Sequence, residues 1–206
     1  ISAGCRELTD EVVNFELSSG GLVWSGNARP IPQVRAGFID FVDIPFTKGW
    51  VQIKGELAYG KFMDNDFLRD HYNYYNQYIT TDALCHHKSI SFRSNPDKPF
   101  VVTIGAELAA QFGGTKRYYE KGILIDSLTM KSPTRLKDFF KILFPSSGDG
   151  QTNEGDQAYY YGNHVGQWNL SAEYRFKDNS SVRGYFEWYF DDASGMGKFN
   201  GWDGLW

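Results

Sequence analysis

Two glutamates in the last third of the chain, Glu173 and Glu187, are the carboxylates whose placement most invites catalysis. They fall on the polar faces of two alternating segments joined by a short turn, and a glycosidase needs two such groups flanking the bond it cleaves. Arg175 and Arg183 stand beside them. Opposite charges on neighbouring strands read better as a salt-bridged wall, so no catalytic residue is assigned. Other chemistries fall away on spacing. His86 and His87 are adjacent, point to opposite faces of a strand and cannot chelate one metal together. Neither Asp64, Asp66 and Asp70 nor Asp191 and Asp192 sit in the calcium-loop frame with its distal Glu. The run GGTKR at 113–117 lacks the phosphate-loop frame and reads as a turn. No Gly-x-Ser-x-Gly elbow occurs, and Cys5 with Cys85 match neither a zinc pattern nor a disulfide framework. Neither metal nor cofactor is expected.

Binding chemistry is better represented. Residues 64–78 (DNDFLRDHYNYYNQY) offer Asp66, Tyr72, Tyr74 and Tyr75, with Asp64, Asp70 and His71 among them. Aromatic faces stack on the apolar faces of pyranose rings, while Asn and Asp bond the hydroxyls. Tyr118 and Tyr119, and Tyr159, Tyr160 and Tyr161, extend such a surface on neighbouring loops. The same residues would equally make an ordinary wet loop, or an aromatic belt at lipid head groups.

The elements that must position these residues are strands. From Trp50 to Tyr59, Gln52, Lys54 and Glu56 alternate with Val51, Ile53 and Leu57. The period returns over 100–112, with Glu107 on the polar face, over 164–176, with Glu173 and Arg175, and over 182–190, with Arg183 and Glu187. Weaker versions near 14–24, 33–40 and 83–93 bring the expectation to about seven strands. Connections near 41–49, 94–99 and 177–181 are short, whereas 61–82 and 113–163 are long. The connection near 25–32 is short on the long side, and Pro30 and Pro32 keep it out of a ladder. Within 133–144, Leu136, Phe139, Phe140 and Leu143 have helical spacing behind Ser132-Pro133 and before Pro145. This amphipathic helix should pack on a barrel rim or in a lumen.

A net charge of -4 and a pI near 5.6 offer no basic stripe for a phosphate backbone, so nucleic acid is not an expected partner. No apolar run of about 18 residues exists, which excludes a membrane-spanning helix but not spanning strands. The absence of an initiator Met, a signal peptide and a closing aromatic strand predicts an internal stretch of a longer protein.

Alternation suits a soluble β-sandwich as well as a membrane barrel. Two features favour an antiparallel transmembrane barrel of outer-membrane type: strands of about 9–13 residues against the usual 5–6 or so, and aromatics at strand ends. The aromatics are Tyr59, Phe112, Trp168, Tyr174, Trp188 and Phe190. On this reading Lys54, Glu56, Glu107, Glu173, Arg175, Arg183 and Glu187 form a charged lumen wall. All 206 residues then belong to one unit.

The segments 26–65 (GNARPIPQVRAGFIDFVDIPFTKGWVQIKGELAYGKFMDN), 100–117, 135–148, 155–178 and 190–206 (FDDASGMGKFNGWDGLW) carry a resemblance to the capsule-assembly Wzi family. The resemblance covers nearly the whole chain, and is weakest around 1–20 and 121–134. It implies an outer-membrane barrel with more strands than this chain supplies, hence about half of a protein that is monomeric at full length. It also implies a non-catalytic, lectin-like role in attaching or assembling capsular or other surface polysaccharide, with that glycan and outer-membrane lipid as partners. The alternatives left by the residues are a diffusion porin and, third, a polysaccharide-degrading enzyme.

Overall fold

The computed structural model describes residues 1–7, 13, 14, 16, 18, 20–25, 27–63, 66–71, 75–143, 162–191 and 204–205. They form a mostly antiparallel β-structure, and no helix among them is long and apolar enough to cross a membrane. Six long strands run up and down in sequence order: β2 (Pro32–Asp43), β3 (Val51–Lys61), β5 (Leu84–Ser94), β6 (Phe100–Phe112), β10 (Asn163–Arg175) and β11 (Ser181–Asp191). Short β1 (Ser2–Cys5) extends the sheet beside β2, and β12 (Gly204–Leu205) beside β11. Among the described residues these two edges do not pair with each other, so no closed barrel is seen.

Period two explains the strands, and the register carries it across the sheet. Lys54 lies opposite Ser91, Ser89 opposite Glu107, and Glu107 opposite Gln167, all on one face. Ile53, Phe92, Ile104, Leu170 and Phe186 form a row on the other. The sheet curls with its polar face inward, for Arg35 on β2 and Arg183 on β11 line the same cavity. A strand glycine serves close packing: a Cβ on Gly166 would lie 2.4 Å from the Phe190 ring, which is fully buried over it.

On the long strands buried polar side chains stand against exposed apolar ones. Arg35, His87, Gln167, Asn169, Ser171 and Glu187 are buried, while Val34, Phe38, Leu57, Ile90, Ile104, Leu170 and Val182 are exposed. The three connections between paired long strands are short (44–50, 95–99 and 176–180) and share one rim. The last is pinned by Phe176 N–H donating to the Ser180 carbonyl at 2.8 Å, with Asn179 in the left-handed region. Exposed Trp50, Phe100, Tyr174 and Phe176 gather along this rim.

The described residues of the long connections, at the other rim, form further elements. They contain α1 (Phe67–Asp70), β4 (Tyr78–Thr81), β7 (Thr115–Glu120), β8 (Ile123–Leu124), a 3-10 turn (Asp126–Leu128) and β9 (Met130–Lys131). Strands β4, β7, β8 and β9 make a second small sheet that was not expected. The turn at Gly113–Gly114 holds φ of 67° and 81°, values that glycine adopts without a Cβ penalty.

Helix α2 (Leu136–Leu143) forms where helical spacing predicts it. It lies on the apolar face of the sheet at the long-connection rim, not on the polar face: Ile142 packs with Ala110 and Phe112, beside Tyr59, Leu84 and Phe139. Three other expectations need correction. The described residues near 14–24 make no strand, only an isolated bridge between Gly20 and Ser25. Trp168 and Trp188 face each other in mid-strand and are not a terminal girdle. Phe112 and Phe190 are buried, so neither can meet head groups.

Candidate functional site

The polar face encloses a trough of about 610 Å³. Of the charged residues singled out from alternation, Lys54, Glu56, Glu107, Glu173, Arg175 and Arg183 all line it. Glu187 shares their face but lies deeper, 3% exposed, with its Oε1 accepting from the Leu22 N–H at 3.4 Å.

At the centre of the trough stands His87, 2% exposed between two carboxylates. Its Nε2 is 2.7 Å from Glu107 Oε1, and its Nδ1 is 3.3 Å from Glu56 Oε1. Arg35 Nη1 reaches the same Glu56 oxygen at 3.5 Å, and Gln167 Nε2 donates to Glu107 Oε2 at 3.3 Å. The network therefore ties β2, β3, β5, β6 and β10 together across their polar faces. From the sequence alone His87 reads only as half of a metal pair. Extending the alternation of 83–93 would have put it on the face of Glu56 and Glu107, whereas Tyr59 stacks on His86 at 4.5 Å on the opposite side. Among the described residues no cluster fit for a metal ion occurs.

A strap crosses this network. The Val23 N–H donates to Gln167 Oε1 at 3.1 Å, and the Trp24 ring meets His87 edge-on at 5.6 Å. Residues 22–24 thus lie inside the curl of the sheet. Closer to the short-turn rim, Arg93 donates to Gln52 Oε1 at 2.7 Å from Nη2 and sits 4.0 Å above the Phe41 ring.

The two glutamates are not cross-strand neighbours. Glu173 pairs with Arg183, whereas Glu187 pairs with Asn169, four residues along β10. Four strand rises separate their backbone positions by roughly 13 Å, and the buried Glu187 carboxylate is held by the Leu22 N–H. Glu173 instead accepts from Arg175 Nε at 2.6 Å.

The tyrosines reach the small sheet. Tyr75 lies 5.9 Å from Tyr119, and Tyr78 lies 4.9 Å from Tyr118, ring to ring. Asp66 stands at the start of α1, exposed and with φ of 64°. Asp64, Tyr72, Tyr74, Tyr159, Tyr160, Tyr161 and Asp192 lie outside the described residues. Between the strap and α1 opens a second cavity of about 1040 Å³, walled by Trp24, Ile31, Phe62, Met63, Phe67 and Leu68, with Arg29, Asp70 and His71 also lining it. Aromatic walls with a few polar groups suit a ligand that is part apolar and part hydrogen-bonding.

No known protein family, curated protein or solved structure matches the chain.

Proposed function

We propose that this chain is part of an outer-membrane β-barrel and that it serves, without catalysis, in attaching or assembling surface polysaccharide. The observation that carries the membrane half of this reading is the inverted burial: charged and amide side chains inside the curl, large apolar side chains exposed outside. On β6 the apolar face runs from Phe100 to Leu108, a length that matches the roughly 9–11 residues with which a tilted strand crosses a bilayer. Short turns on one rim and long connections on the other fit that architecture. The glycan half rests on the resemblance of the segments named above to the capsule-assembly Wzi family. The aromatic cavity and the tyrosines of the long-connection rim are the surface on which glycan contacts would fall.

The strap at residues 22–24 favours this reading over a diffusion porin, since it occupies the interior that a porin leaves to water.

Ile104→Lys tests the membrane reading. In lipid a Lys on the outer face costs about 2–4 kcal/mol near the midplane. In a water-soluble sheet an exposed, isolated substitution changes stability by no more than about 0.5 kcal/mol. Denaturant unfolding from vesicles separates the two, and the smaller value would overturn the barrel. Glycan binding is tested by retention of the protein on immobilised capsular polysaccharide; failure there, with the larger unfolding penalty intact, would leave a barrel of another function.

A further inference from the structure

Among the described residues, helix α2 has one face packed against the sheet and one that meets no other element. On the inner side Ile142 is fully buried, the Tyr59 hydroxyl donates to the Phe139 carbonyl at 2.7 Å, and Lys88 Nζ donates to the Leu143 carbonyl at 2.5 Å. On the outer side Leu136 and Phe140 are 77% and 63% exposed. Four residues apart, they stand one above the other on a single stripe.

The charges of the helix are sorted as well. Its only acid, Asp138, is fully buried, and its Oδ2 accepts from the Arg135 N–H at 2.7 Å. Arg135 and Lys137 are exposed, and Lys141 is half-buried. The outer surface thus offers two large apolar groups beside cations, with no acidic side chain of the helix among them. The helix also caps the upper end of the exposed apolar band, above Leu57 and Ile90, and so continues that surface. Helices that lie in a lipid interface have this composition: apolar side chains enter the acyl boundary while Lys and Arg meet phosphates.

We propose that α2 is a lipid-contact helix that seats Leu136 and Phe140 among acyl chains and holds anionic phosphate headgroups with Arg135 and Lys137. The proposal rests on the outer-membrane reading and names the lipid chemistry of one rim. A protein partner for the same stripe would need acidic groups opposite the cations, but continuity with the apolar band favours lipid.

The test uses the full chain with Cys5→Ser and Phe140→Cys, the latter carrying an environment-sensitive fluorophore; Cys85 is buried and stays unlabelled. The protein is added to vesicles of pure phosphatidylcholine and to vesicles that also contain phosphatidylglycerol. The label should shift to the blue on insertion and be quenched by lipids brominated high on the acyl chain. The affinity should rise roughly tenfold with the anionic lipid, and Arg135→Gln with Lys137→Gln should abolish that preference without preventing insertion. A water-like label on protein that is inserted and protease-protected would overturn the proposal and leave the barrel standing. An anionic preference unchanged in the double variant would overturn it too. Failure to insert into either vesicle would overturn the membrane reading itself, and the lipid-contact role with it.

Discussion

The main-chain N–H of Val23 donates to the side-chain oxygen of Gln167 at 3.1 Å, joining residues 144 positions apart. The bond seats a strap on the inner face of β10, and Trp24 covers His87 beside it. Glycines at 20 and 21 precede the strap, so the chain can turn in tightly there. In planar bilayers the protein should show no single-channel steps. Deletion of residues 20–25 should produce them, and steps in the unaltered protein would favour a porin.

The imidazole between Glu56 and Glu107 is the most consequential polar side chain of the interior. His87→Leu leaves two half-buried carboxylates with only Arg35 and Gln167 as partners and should cost about 1–3 kcal/mol, measured as a fall in the urea midpoint. Glu107→Gln keeps an acceptor for His87 and should cost only about 1 kcal/mol. Equal losses for the two variants would mean that the network is not held by its charges.

Glu173 and Arg175 form an exposed pair on one strand, and such pairs contribute little. Glu173→Gln should shift stability by less than about 1 kcal/mol. Neither Glu173→Gln nor Glu187→Gln should alter the release of reducing ends from capsular glycan, because no turnover is expected. Turnover lost on either substitution would establish an enzyme.

Ile142 is the anchor of α2 on the sheet, and the cavity left by Ile142→Ala should cost about 2–4 kcal/mol. Lys88→Met removes the cation that caps the last carbonyls of the helix, and should cost about 1 kcal/mol while leaving the strands intact. Thermal unfolding followed in the far ultraviolet reads both effects.

The long strands were legible because each carries its own signal: 100–112 alternates over its whole length, and β6 occupies those residues. Helix α2 was legible for the same reason. The strap was not, because the alternation near 14–24 imitates a strand while its partners, Gln167 and Glu187, lie far along the chain. The small sheet escaped notice because β8 and β9 have two residues each and exist only by pairing with β7. Side-chain direction is readable from alternation, which puts Glu56, Glu107 and Glu173 each on a polar face, and the three line one trough. Their partners are less readable: Arg35 and His87 lie on strands whose period is weak.

Short connections join β2 to β3, β5 to β6 and β10 to β11, whereas the joins from β3 to β5 and from β6 to β10 bridge long ones. Loop-closure entropy grows with length, so three hairpins can each form early while the two seams between them close later. Until the seams close, each hairpin carries unpaired edges and a bare apolar face. On this topology the last pairings expected to close are the Leu57–Lys88 and Glu107–Gln167 seams, where unpaired edges would be open longest.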